Sequence, residues 1–278
     1  MIHAEDELQL DSGPADGAAA SEMIDLSVSS GLDLQLDHQN LSLAFGPGLA
    51  HPPVERRMLE DVRPMLWDRD ADGPEHLYSV YMDICQSKDL PSLRAQGLLY
   101  GSMIYNHGVV GSERVRSQGH LHAVKPGTTL RYSEVFQFWT GEAYVYLQKE
   151  SAPDVSRALL VRVGPGDTVV LPSGWGHLVS TIGNEVVSFG AWCARDNTFE
   201  YDQLKMLGGP AYFLRADGEV VRNPRYRSVA ELEHVTPADV PDFGIPRGQP
   251  IYTSWKLQPS LFDFVSNPEL GASMWARL

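Results

Sequence analysis

Ser117-Gln118-Gly119-His120-Leu121-His122, then Glu134-Val135-Phe136-Gln137-Phe138-Trp139-Thr140-Gly141, then Gly166 and Pro172-Ser173-Gly174-Trp175-Gly176-His177 are the pieces of one stretch that decides how this chain reads. In a strand, residues two apart share a face, so His120 and His122 project together while Leu121 points away. Glu134 opens an apolar strand that ends in a turn at Gly141, and His177 follows a Pro/Gly turn inside the apolar run Trp175 to Ile182. A lone histidine in a β-domain is usually an ordinary residue. It is the joint pattern of His120, His122, Glu134 and His177 that points to one divalent transition metal, Fe2+, Mn2+, Ni2+ or Zn2+. Such a set leaves positions open on the ion, which separates a catalytic site from a closed structural one.

Working outward, segments from 117 to 192 read as short strands separated by Gly/Pro turns, which predicts an all-β barrel or sandwich with few helices. Upstream, 31–45 reads as a pair of half-buried strands and 76–84 as another. Residues 55 to 67 read as a helix, with Met58, Leu59, Val62, Met65 and Leu66 at helical spacing and Pro64 limiting its length. Downstream, 197–207 reads as a short helix or loop containing Tyr201. A hairpin over 211–221 turns at Asp217-Gly218, and a short helix is expected over Ser228 to Glu233 with Ser228 as its cap. The expected organisation is a disordered acidic tail over 1–30, a barrel domain over 31–227 and a C-terminal extension over 228–278 packed on the barrel.

Composition narrows the function. The net charge of −14 over 278 residues argues against nucleic acid or an anionic membrane as partner. Two cysteines are too few for a disulfide framework and suit a reducing cytosol. The acidic N-terminus does not read as an export signal, and no apolar run approaches transmembrane length, so a cytoplasmic location is expected.

The Glu134 to Gly141 segment and the set Gly166, Pro172, Gly174 and His177 resemble the two motifs of the cupins, whose fold is a double-stranded β-helix or jelly roll. Between His122 and Glu134 the chain is longer than cupins usually have, so a loop from Ala123 to Arg131 is expected near the metal. Thr181 stands where an asparagine is usual. From Phe45-Gly46-Pro47-Gly48 and Arg57 to Leu66, through the metal stretch, to Gly218-Glu219-Val220-Val221-Arg222-Asn223-Pro224-Arg225-Tyr226, the chain resembles the cupin-type glucose-6-phosphate isomerases.

The resemblance implies a metal-dependent aldose–ketose isomerase of a sugar phosphate, working as a homodimer. Glu134 is implied as ligand, base or both, and Tyr201 as a pocket tyrosine that orients or relays a proton. Ser117, Gly119, Arg131, Phe136 and Trp192 fall at substrate-binding positions. Several depart from the family pattern: Phe136 and Trp192 replace tyrosines, Met103 or Ser102 replaces a threonine, and Ser117-Gln118 replaces Thr-Lys. Each change removes or shortens a hydrogen-bond donor, so Arg131, Lys125, Arg195 or Arg116 is expected to hold the phosphate. An isomerase or epimerase of a modified sugar, a non-haem iron dioxygenase, and a silent sugar-binding regulator remain alternatives.

Overall fold

A computed structural model describes residues 22–150 and 153–278, so most of the tail expected over 1–30 lies outside the described residues. From Glu134 onward the chain passes back and forth between two facing sheets. Glu134–Thr140, Thr168–Leu171 and Val187–Ala194 belong to a six-stranded sheet, in the order 168–171, 134–140, 187–194, 98–105, 76–82 and 54–58. Glu142–Lys149, Ala158–Val163 and Trp175–Ile182 belong to a four-stranded sheet completed by Leu232–Val235. This alternation is the cupin jelly roll that the motifs imply.

The core between the sheets follows from strand parity. Phe136 and Phe138 point inward with Phe189, Ala191 and Cys193, against Val145, Leu147, Leu159, Val161 and Val179 of the facing sheet. Burying a side chain of this size contributes about 1.5–3 kcal/mol. Intervening residues point to the other face. Val135, Trp139 and Trp192 are covered there by the hairpin of Leu34–Asp37 and Ser42–Phe45 and by helices of the C-terminal extension, through Tyr252, Trp255, Phe262 and Phe264. Trp192 Nε1 donates to the Ile251 carbonyl at 3.2 Å.

Two local expectations change. The helical spacing from Met58 begins later: Val54–Met58 is a strand, followed by one helical turn, Leu59–Val62, and a 3-10 turn containing Pro64. The helix expected over Ser228 to Glu233 is instead two short strands. Leu232–Val235 pairs in parallel with Ala158–Val163 from Ala158↔Leu232 to Val161↔Val235. The unpaired edge of that barrel strand offers hydrogen bonds that outweigh local helix preference. No helix among the described residues is long and apolar enough to cross a membrane, and Cys85 and Cys193 are both free and buried.

Candidate metal centre and its cleft

His120 reaches the site from a bridge to His177: the His120 N–H donates to the His177 carbonyl at 3.1 Å, and the His177 N–H returns the bond at 3.0 Å. Gly119, immediately before it, holds φ +80°, where a side chain is strained. A Cβ there would also press within 3.3 Å of the His177 carbonyl. The role of Gly119 is therefore to let the His120 strand lie against the His177 strand. His122 ends the short strand Leu121–His122, paired with Phe199–Glu200. Glu134 starts its strand opposite Leu171.

These elements bring one donor atom from each of His120, His122, Glu134 and His177 within 4.8 Å of one another. Glu134 Oε2 lies 3.2 Å from His122 Nε2 and 3.5 Å from His177 Nε2. His122 Nδ1 lies 3.0 Å from the Tyr132 carbonyl. A carbonyl only accepts, so Nδ1 carries a proton and Nε2 is the nitrogen turned toward the cluster. Burial, reinforced by the neighbouring rings, holds His120 well below the usual imidazole range, and burial lowers His177 too. Burial raises the Glu134 carboxyl, but the facing His122 and His177 nitrogens outweigh it and hold the group below the usual carboxylate range.

This donor set fits a metal ion. The Nε2 atoms of all three histidines and Oε2 of Glu134 are buried without a properly oriented hydrogen-bond partner. Buried polar atoms are normally satisfied, and leaving several to converge is costly unless a cation takes their lone pairs. Neutral imidazoles with one carboxylate suit a first-row divalent ion. The second Glu134 oxygen, Oε1, accepts from the buried Cys193 thiol. Burial, then the nearby carboxylate, push that thiol well above its ordinary pKa, so it stays protonated and serves as a donor.

The cluster forms the floor of a cleft of about 620 Å³, its open mouth included. Of the residues expected at the site, Ser117, His120, Glu134, Phe136, His177 and Tyr201 line the cleft. Tyr201 lies beside His120, with ring centroids 5.7 Å apart, and burial raises its hydroxyl pKa, which keeps the proton on it.

Three expected substrate contacts, Gly119, Trp192 and Arg131, are not among the residues that line the cleft. Trp192 is fully buried on the opposite face of its strand, because its neighbours Ala191 and Cys193 take the inward positions. Arg131 binds the His122 carbonyl and, at 2.7 Å, Glu200 Oε2, so it ties down the backbone at His122. The other proposed phosphate holders are also engaged. Arg116 is buried against Glu113 at 2.8 Å, Arg195 grips Asp83 through two nitrogens, and Lys125 binds Asn267 and Glu269. Of the two candidates for the replaced threonine, Met103 lines the cleft and Ser102 is buried elsewhere. Thr181 donates to the Val115 carbonyl at 3.1 Å and fastens two strands.

Sequence reasoning missed Glu55, Arg57, Tyr78 and Tyr105, which also line the cleft. Arg57 pairs with Glu55 at 2.7 Å and lies near the Tyr201 hydroxyl, where its charge favours ionisation of that group. The available signal was the alternation of Glu55 and Arg57 on a strand, read instead as the start of a helix.

Comparison with known proteins agrees with this geometry. The family model described as glucose-6-phosphate isomerase (GPI) matches residues 64–231. A glucose-6-phosphate isomerase of Thermococcus kodakarensis is 30% identical over 132 residues, which are 47% of this chain and 65% of that relative. Among solved structures, a mutant oxalate decarboxylase of Bacillus subtilis is 18% identical with a TM-score of 0.31, over 54% of this chain and 30% of that one. A vicilin of Solanum melongena is 15% identical with a TM-score of 0.33, over 46% and 31%. Overlaps that small carry no argument about the site. The family match spans more than half of the chain and contains every metal-ligand candidate, and the chain belongs to the glucose-6-phosphate isomerase family.

Proposed function

We propose that this protein is a metal-dependent aldose–ketose isomerase of a sugar phosphate, with glucose 6-phosphate and fructose 6-phosphate as the default pair. The observation that carries the reading is the convergence of unpartnered donor atoms from His120, His122, Glu134 and His177 on the floor of a cleft, in a chain of this family. When bound there, a divalent ion would supply Lewis-acid polarisation of the sugar oxygens.

The remaining work falls to the protein. Isomerisation moves one hydrogen from C2 to C1 and one proton from O2 to O1, with no net oxidation. In this reading an ionised Glu134 carboxylate at the cleft floor takes the C2 proton and returns it at C1. The Tyr201 hydroxyl, which burial keeps protonated, donates toward the sugar oxygens. Arg57 is the arginine that lines the cleft. Its partner Glu55 is more than half exposed, so it can turn to solvent when a phosphoryl group takes its place.

A second reading has its own support. Val80, Met82, Met103, Phe136, Val179 and Phe199 give the cleft an apolar wall, which suits a sugar phosphate bearing fewer hydroxyls than a hexose or an apolar substituent. Assay of metal-loaded protein with glucose 6-phosphate and with deoxy or acylated analogues decides between the two. Turnover abolished by a chelator and restored by Mn2+ or Fe2+ supports the isomerase; loaded protein that isomerises no sugar phosphate refutes it. A cytoplasmic homodimer belongs to the same reading, and light scattering on the purified protein tests the dimer.

A further inference from the structure

Away from the metal cleft, a second cavity is lined by Leu66, Trp67, Arg69, Gly208, Phe213, Asn223, Pro224 and Arg225. It joins two parts of the family stretch that the isomerase chemistry does not use: the loop after the 3-10 turn Arg63–Met65 and the Asn223-Pro224-Arg225 segment. Two guanidinium groups meet in it. Arg225 Nη1 and Arg69 Nη2 both lie within 3.1 Å of a single point, the place a Cβ on residue 208 would occupy. The Arg225 guanidinium packs into the space a side chain at 208 would need, and the φ of +69° there is one that glycine adopts readily.

Two cations held this close repel one another, and the usual remedy is a carboxylate. This chain has 36 acidic residues against 22 basic ones, yet no carboxylate lines the cavity. Among the described residues, Arg69 and Arg225 make no ion pair and no side-chain hydrogen bond. Asp68, next to Arg69, accepts the Asp70 backbone N–H on Oδ1 at 3.0 Å.

The surrounding backbone is fixed. Buried Asn223 donates from Nδ2 to the Leu207 and Pro210 carbonyls at 3.0 and 2.9 Å, and its Oδ1 accepts from the Arg225 N–H at 3.1 Å. One side chain thus clamps the Gly208 loop to the Arg225 loop. On the other side Arg63 binds the Arg69 and Ala71 carbonyls at 3.0 and 2.8 Å. Trp67 is 43% exposed and is braced edge-on by Phe213 at 5.4 Å. An indole held open beside paired guanidiniums presents a flat apolar face next to a fork-shaped anion receptor.

We propose that this cavity is a second, non-catalytic site for a small phosphomonoester, with the phosphoryl oxygens between Arg69 and Arg225 and a planar body against Trp67. The site is independent of the isomerase reading, since it uses none of the metal cleft's residues. Guanidinium forks match phosphoryl geometry, and Trp67 favours ligands with a flat ring, such as a nucleoside monophosphate, over a bare anion.

Calorimetric titration with inorganic phosphate, glucose 6-phosphate and AMP tests this. In H177A, which removes a metal ligand, phosphate and AMP are expected to bind as in the wild type, AMP more tightly. Arg69→Ala and Arg225→Ala should each weaken both by about tenfold, and Trp67→Ala should remove only the advantage of AMP. Glucose 6-phosphate binding that survives H177A but not R225A assigns part of its binding to this cavity. The proposal is overturned if neither phosphate nor AMP binds H177A, or if the arginine variants bind both unchanged. Equal affinity of wild type for AMP and phosphate overturns the role given to Trp67. Trp67, Arg69 and Arg225 are exposed side chains, and melting temperatures will verify that these variants and H177A fold.

Discussion

Removing the Cys193 thiol tests how Glu134 is held. In Cys193→Ala, Glu134 Oε1 loses its hydrogen-bond donor inside a site where the carboxylate is 3% exposed and water cannot replace it. Outer partners of metal ligands are typically worth about 10–100-fold in metal affinity. A thiol is a weak donor, which places the loss near the lower end, about tenfold or about 1.4 kcal/mol. Cys193→Ser restores a stronger donor at nearly the same position and should bind metal within about threefold of the wild type. The assay is competitive titration of the metal-free protein with Mn2+ or Zn2+ against a chelating indicator, beside thermal melts without metal. The melts separate lost orientation from lost folding. Equal affinity of wild type and Cys193→Ala, with both folded, would refute the claim that this contact orients the ligand.

Four further outcomes follow from the same geometry. Arg57→Ala should raise KM for the sugar phosphate about tenfold or more, the range for a hydrogen bond to a charged group, while metal binding is unchanged; steady-state kinetics and the titration above check this together. Trp192→Phe should cost about 1 kcal/mol of stability, from the bond to the Ile251 carbonyl, and leave KM unaltered; a large change in KM in the folded variant would return Trp192 to the cleft. Arg116→Ala should destabilise by about 3–5 kcal/mol in denaturant titration, because it strands the buried Glu113 carboxylate. Glu269→Gln should lower the melting temperature by about 1–2 °C at neutral pH, since its pair with Lys125 is exposed and worth about 0.5 kcal/mol. The Lys125 hydrogen bond holds Glu269 below its usual range in the folded protein. That stabilisation is therefore present above the unfolded carboxylate pKa and lost as pH falls through the folded one, and the variant should match the wild type in strong acid.

Much of the barrel and its ligand set was legible because period-2 spacing carries geometry directly. His120 and His122 share a face by parity alone, and Glu134 shares its face with Phe136. Trp192 was expected at the substrate by resemblance alone. Which of Trp192 and Cys193 faces inward depends on the pairing Val135↔Trp192 and Phe136↔Ala191, and register between distant strands is set by tertiary packing. The strand at Leu232–Val235 was hidden for a related reason, as its partner is an open edge far away in sequence. Arg57 was passed over because its segment reads as the start of a helix, where Val54–Met58 is in fact a strand. Arg116, Arg195, Arg131 and Lys125 look equally available in one dimension, and only their carboxylate partners in space show that they are engaged.

The most direct test is metal content at equilibrium. Wild-type protein, stripped with a chelator and dialysed against Mn2+, Fe2+, Ni2+ or Zn2+ in turn, should retain one ion per chain by elemental analysis, while folded His122→Ala and His177→Ala retain none. A folded wild type that takes up none of these ions, or a His177→Ala that holds its ion as tightly as the wild type, would contradict the site.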